Sequence, residues 1–306
     1  MEYVDRENRI KPLDSKSFWL ENDLCVFFGP AGVGKSIFAV AIAAEISQKL
    51  DEKVLYYDFE LDEREFMSRF TKEFLGPNFL RAEPTSDDLK TLDGEQMVND
   101  IENAYVKEKI KFYVVDNISI ILEDPTNYDK AKRFVLGFKS LVDKYHDISI
   151  LLVGHTPKRD KALPVTADSL AGSKALTNFC KSVFAIMPSV KGKNIVYVKQ
   201  VKTRNSELLY DENNVIEYQL VKKCDCLYFK EIGTSKESEH LSSDKNKSSK
   251  ENDERNKRIM KLHNEGNSPR KIEELLPKYG FSLSHTRIHQ IIKEIDENQS
   301  NSKKHK

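Results

Sequence analysis

Residues Gly29 to Ser36 read Gly-Pro-Ala-Gly-Val-Gly-Lys-Ser. They follow the apolar run Leu24-Cys25-Val26-Phe27-Phe28 and open into Ile37-Phe38-Ala39-Val40-Ala41-Ile42-Ala43-Ala44. A β-type run, a glycine-rich turn and an amphipathic helical stretch form the context in which the spacing Gly-x4-Gly-Lys-Ser wraps a phosphate chain. Backbone N–H groups and the positive end of a helix then face the phosphates. The stretch therefore predicts a strand-loop-helix opening of an α/β domain.

Downstream, short β-type runs alternate with helical patterns as far as Gly233, the signature of a mainly parallel sheet flanked by helices. The predicted strands are Leu24 to Phe28, Val54 to Phe59, Phe112 to Val115, Ser149 to Val153, Ser182 to Met187, Ile195 to Lys202 and Val215 to Leu220, with Leu227 to Ile232 pairing after it. Helix-length segments separate the first four. Short turns join the last ones, so the sheet is expected to end in antiparallel strands.

At 306 residues the chain is long enough for one well-cored domain plus something smaller. Basic and acidic residues balance at 49 each, so a nucleic-acid or membrane partner must be met by a local patch rather than by net charge. The start Met1-Glu2-Tyr3-Val4-Asp5-Arg6 has no signal-peptide pattern, and the apolar helical stretch stops at Glu45, too short for a bilayer. A cytoplasmic protein without membrane contact is expected. Cys25, Cys180, Cys224 and Cys226 lack the second pair or histidine cluster of a zinc site, so they are read as ordinary thiols.

The motif's chemistry assigns first roles. Gly29, Pro30, Ala31, Gly32, Val33, Gly34, Lys35, Ser36 and Ile37 would contact ATP; Lys35 would reach the β- and γ-phosphate oxygens, and the Ser36 hydroxyl would ligate Mg²⁺. The strand Phe112-Tyr113-Val114-Val115 ends in Asp116, a carboxylate placed to hold the magnesium and its water shell. Because Asn117 follows it, a hydrolytic base must come from elsewhere. Glu60, after Val54-Leu55-Tyr56-Tyr57-Asp58-Phe59, is the candidate to orient water, with Asp58 as its competitor and a plain helix-start charge as the other reading.

A phosphate loop, a next strand ending in Asp-Phe-Glu and a strand ending in Asp together resemble the RecA-like ATPases. The resemblance covers about Leu20 to Gly233, and it implies a RecA-like P-loop NTPase fold. Ser149-Ile150-Leu151-Leu152-Val153-Gly154-His155-Thr156 places His155 at a strand tip, which is similar to the γ-phosphate sensor of RepA-type plasmid replicative helicases. Val198-Lys199-Gln200-Val201-Lys202-Thr203-Arg204-Asn205 is similar to the trans-acting finger of hexameric RecA-like helicases, with Arg204 as finger and Lys202 beside it. A basic strand end paired with Glu207 is the alternative. The resemblance further implies that Lys158, Arg159 and Lys161 line a central channel and meet single-stranded DNA; a solvated loop is the alternative. Gly172-Ser173 fits the family pattern, whereas Cys180-Lys181 stands where an acidic residue is expected.

After Ile232 the composition turns to Ser, Lys, Glu, Asp and Asn, so 234–253 is predicted to be a flexible linker. Beyond it, apolar residues return at helical spacing in Glu254–His263, in a helix opened by Pro269 and in His285–Ile295, and 298–306 reads as a polar tail. Three such helices resemble a helix-turn-helix domain over 254–297, in which His285, Thr286, Arg287, His289 and Gln290 would meet duplex DNA. A protein-docking module is the alternative there. The whole is expected to be an ATP-hydrolysing, RepA-type hexameric motor on DNA, or else an ATP-gated DNA-binding regulator. No lid or acceptor-site pattern points to a small-molecule kinase.

Overall fold

The computed structural model describes residues 11–85, 92–122, 127–157, 159–170, 173–204, 206–223, 225–242, 245–279, 281 and 283–304, with side chains left aside at 173, 245–254, 294 and 296–304. It separates into two units, Met1–Leu241 and Ser242–Lys306.

The first unit is built on a nine-stranded sheet: β1 (Leu24–Gly29), β2 (Val54–Asp58), β3 (Phe79–Ala82), β4 (Phe112–Asp116), β5 (Ser149–His155), β6 (Ser182–Pro188), β7 (Ile195–Lys202), β8 (Val215–Lys223) and β9 (Cys226–Ser235). The order is β3-β2-β4-β5-β1-β6-β7-β8-β9. Pairings are parallel from β3 to β6 and antiparallel from β6 to β9, as the turn spacing predicts. The edge strand β3 is absent from the sequence expectation. Only four residues long and nowhere fully buried, its Phe-Leu-Arg-Ala run is too short to stand out as a strand, and it owes its form to pairing with β2.

β1 is buried along its whole length because helices cover both faces of the sheet. Cys25 and Phe27 join one core with Phe38, Val40 and Ile42 of α1 (Lys35–Lys49). Leu24, Val26 and Phe28 point the other way, into a core with Met97 and Ile101 of α4 (Gly94–Glu108) and Phe134, Val135 and Phe138 of α5 (Tyr128–Tyr145). Short helices α2 (Glu63–Met67) and α3 (Lys72–Leu75) precede β3, and α6 (Ser173–Phe179) precedes β6. Cys25, Cys180 and Cys226 are buried free thiols, and Cys224 lies outside the described residues. No described helix is long and apolar enough to cross a membrane.

The predicted flexible linker does not begin at 234. Thr234 and Ser235 finish β9, and the turn Glu237–Glu239 is folded onto the sheet, with Glu237 1% and His240 2% exposed. Pairing is what lets these polar side chains be buried. Glu237 meets the Lys199 ammonium at 2.6 Å and accepts the Val165 N–H at 2.7 Å and the Tyr197 hydroxyl at 3.1 Å. The His240 ring bridges the Ser189 and Ser235 hydroxyls, each at 2.7 Å.

The second unit holds α7 (Lys245–Asn264), α8 (Pro269–Leu275) and α9 (His285–Lys304). Both long helices overrun their predictions: α7 starts inside the expected linker and α9 runs through the expected polar tail. Neither stretch contains a glycine or proline to stop it; Gly266, at φ 86°, comes just after α7. Ile259, Leu262, Ile272, Leu276, Ile288, Ile291 and Ile292 make a separate core.

Glu237→Ala should destabilise the first unit by about 3 to 5 kcal/mol, because it strands the Lys199 charge in the interior. Lys199→Met combined with Glu237→Leu should recover only part of that loss, because the buried Val165 N–H and Tyr197 hydroxyl then have no acceptor. Urea unfolding followed by circular dichroism reads both, and equal midpoints for wild type and Glu237→Ala would contradict the buried pair.

Candidate active site

The phosphate-loop stretch lies between β1 and α1 and turns through Gly32 and Gly34, whose φ angles of 74° and 95° are left-handed and favour glycine. Gly29 is constrained by space: a Cβ there would sit 2.4 Å from the Ile186 carbonyl oxygen. Helix α1 begins with Gly34 as its cap and no side chain on its first N–H groups, so those donors face the loop. The Lys35 ammonium reaches back to the Pro30 carbonyl at 3.1 Å and to His155 Nδ1 at 2.9 Å. Burial pushes its pKa down, against the pull of Asp116 and Glu60.

Register brings the other groups to the same edge. Gly29 pairs with His155, Asp58 with Asp116, and Asp116 with Val153. Asp116 is 1% exposed. Its Oδ2 accepts the Tyr56 hydroxyl at 2.5 Å, while Oδ1 is buried with no hydrogen-bond partner. Burial raises its pKa to about 6, with the Ser36 and Tyr56 hydroxyls pulling the other way.

Among the described residues, no three His, Cys, Asp or Glu side chains converge into a metal cage. The orphaned Asp116 oxygen and the Ser36 hydroxyl nevertheless fit Mg²⁺, which takes one or two protein oxygens and completes its shell with phosphates and water.

Two carboxylates compete at the end of β2, and their partners separate them. Asp58 is consumed locally: Oδ1 accepts the Glu60 and Leu61 N–H groups at 3.1 and 3.0 Å, and Oδ2 takes Arg81 Nε at 3.0 Å. That turn directs the Glu60 carboxylate to the Asn117 amide and to within 3.5 Å of His155 Nε2. Lys35 can only donate, so His155 Nδ1 accepts and Nε2 carries the proton toward Glu60. The 3.1 Å approach of Asn117 Nδ2 to that nitrogen is then a contact between two donors. The bond from His155 holds the Glu60 carboxyl below its usual range; burial opposes this, and Lys35 and Asn117 add to it.

Asn117 and Tyr56 belong to this cluster although the motif reading gives neither a role. A polar residue directly after the Asp116 strand tip was a usable signal for Asn117. Tyr56 sits inside an apolar run, and only strand pairing reveals its partner.

The remaining expected site residues lie elsewhere. Lys202 pairs with Val183 at the start of β6, whereas Gly29 abuts Ile186. That offset is about 10 Å along the strand, toward the edge away from the phosphate loop. Lys202 donates to the Thr177 carbonyl and, at 2.9 Å, to that of Cys180; Arg204 donates to the Asn178 carbonyl at 2.7 Å. Both side chains thus cover carbonyls at the end of α6 and stand away from their own chain's loop, and no described carboxylate pairs with Arg204. Arg159 braces its own loop through the Leu163 and Pro164 carbonyls instead of standing free, Lys161 is exposed, and Lys158 and Gly172 lie outside the described residues.

In the second unit, Thr286, Arg287, His289 and Gln290 lie exposed on the first turns of α9. Arg287 donates to Gln290 at 3.1 Å, and His285 meets Glu273 at 3.0 Å.

A family model described as an AAA domain matches residues 5–161, just over half of the 306. No curated protein matches the sequence significantly. Among solved structures, one described as an ATPase domain superposes with a TM-score of 0.53 at 12% identity, over 68% of this chain and 85% of that one. At that identity the likeness speaks for the fold.

Removing the ring in His155→Ala should let the Glu60 carboxyl titrate upward, toward the ordinary glutamate value. Carboxyl ¹³C chemical shifts followed through a pH series measure this, and an unchanged Glu60 midpoint would contradict the His155–Glu60 bond.

Proposed function

The chain belongs to the AAA domain family, and from that premise we propose that it is an ATP-hydrolysing, RecA-like motor acting on DNA, in the manner of RepA-type hexameric helicases of plasmids and mobile elements. The observation that carries the reading is the convergence of Lys35, Glu60, Asp116 and His155 on one sheet edge beside the phosphate loop. The structural match adds a fold shared with a solved ATPase domain.

In this mechanism the α1 N-terminus and the loop N–H groups cradle the ATP phosphates, and Lys35 neutralises charge on the β- and γ-oxygens. Ser36 and Asp116 would hold Mg²⁺, which when bound would supply Lewis-acid neutralisation of the phosphate oxygens. Glu60 orients water in line with the γ-phosphorus and accepts its proton as the bond to the β–γ bridging oxygen breaks. Asn117 and His155 fix the Glu60 carboxylate. Because His155 also holds Lys35, loss of the γ-phosphate is felt at the base of the segment after β5, where Arg159 and Lys161 would meet the strand.

Arg204 and Lys202 act in trans on the neighbouring subunit's site. Their place at the far edge of the sheet, and the lack of a described carboxylate on Arg204, support that assignment. The three-helix unit serves as a helix-turn-helix that docks on duplex DNA through Thr286, Arg287, His289 and Gln290. The separateness of that unit also favours a second reading, in which it binds a duplex site and hydrolysis resets assembly.

Steady-state ATP hydrolysis, measured across protein concentration with single-stranded DNA, duplex DNA or neither, tests the reading. Turnover should rise with concentration and with single strands. Arg204→Ala should lose about three orders of magnitude, and Glu60→Gln about two to four while still binding ATP. Slow turnover indifferent to single strands would replace the motor with the duplex-bound regulator.

A further inference from the structure

The three-helix unit carries a positively charged surface apart from the exposed turns of α9. Lys257, Arg258 and Lys261 of α7 line a cleft of about 440 Å³ that is completed by Tyr279 and Phe281. Positions i, i+1 and i+4 bring the three cations onto one side of the helix within a single turn. Lys257 and Lys261 are exposed. The Arg258 guanidinium lies 3.6 Å from the centroid of the Tyr279 ring, and its Nε is buried with no hydrogen-bond partner. The described ion pairs of this unit join Lys271 to Glu274 and His285 to Glu273. Among the described residues, no carboxylate neutralises the three cations of the cleft.

Three cations so close together repel one another. In a folded surface that cost is offset when an anion binds between them. The chemistry of the walls narrows the anion. Two lysines offer point charges to phosphate oxygens, an arginine offers a planar donor, and Tyr279, 43% exposed, presents the part of its ring that Arg258 does not cover to a sugar or base. Cations interleaved with aromatic rings in a recess match a nucleic-acid strand better than they match an isolated inorganic anion, which would leave the rings unused.

We infer that the α7 cleft of Lys257, Arg258, Lys261, Tyr279 and Phe281 is a phosphodiester-binding site for a nucleic-acid strand, distinct from the α9 face. The inference rests on the reading that the chain acts on DNA and adds to it a second point of attachment. With two faces, the unit can hold the backbone through α7 while α9 meets the groove, or hold one strand while α9 holds another segment.

The test is fluorescence anisotropy of the full chain with a labelled oligothymidine of about thirty nucleotides and a duplex of the same length, across roughly 50 to 200 mM salt. For Lys257→Gln/Lys261→Gln, two lost phosphate contacts should lower the slope of log affinity against log salt by about 1.4 on single strands and about 1.8 on duplex. Affinity should fall at least about tenfold at the low-salt end. Tyr279→Ala should weaken the single strand by about fivefold or more and leave the slope unchanged. The arm that responds identifies the form of nucleic acid held, and a melting curve confirms that the surface substitutions leave the unit folded. If the double variant keeps wild-type affinity and slope while Arg287→Ala weakens binding, the cleft is overturned and the DNA reading survives. If the wild-type chain binds neither oligonucleotide, both fall.

Discussion

The parallel register of β2, β4, β5 and β1 is the constraint on which the site depends. Asp58 stands level with Asp116, Asp116 with Val153, and Gly29 with His155, so four successive strands deliver their polar ends to one edge of the sheet. Adjacent strands lie only about 4.8 Å apart, which places groups distant in sequence within hydrogen-bond reach. A slip of one residue in any pair would turn its terminal side chain to the opposite face. Parallel pairing holds β1 against β6, and at Gly29 there is no room for a Cβ beside the Ile186 carbonyl.

Burying charge at that edge demands partners, and the partners divide the labour. Asp58 spends its oxygens on two backbone N–H groups and Arg81, and so shapes the turn. Asp116 keeps one oxygen on Tyr56 and leaves the other unclaimed, which suits a cation delivered with the nucleotide. The same logic operates at Glu237, where a segment of linker-like composition is buried because Lys199, Tyr197 and the Val165 N–H await it. A polar residue's burial is decided by the groups facing it.

That distinction explains what could be read from the chain alone. Continuous apolar runs made β1, β4 and β5 legible, and the glycine and lysine spacing made the phosphate loop legible, because these signals are local. The choice between Glu60 and Asp58 was readable only as a competition, and what tells the two carboxylates apart is their side-chain and backbone partners, which a sequence does not display. The strand β3, the Asp116–Tyr56 bond and the Glu237 pair all depend on distant residues, so neither composition nor periodicity announces them. In the second unit, the apolar spacing announced the three helices, whereas the start of α7 and the end of α9 differ from expectation because polar composition by itself does not stop a helix.

The central claim is that the edge holding Asp116, Ser36 and Lys35 is a magnesium-dependent nucleotide site. Equilibrium binding of a fluorescent ATP analogue, with Mg²⁺ titrated from zero, tests it most directly in wild type and Asp116→Ala. The account predicts that Mg²⁺ tightens binding by about tenfold or more in wild type and that Asp116→Ala abolishes this response while leaving weak, metal-independent binding through the loop. Equal Mg²⁺ dependence in both proteins, with Asp116→Ala folded, would contradict it.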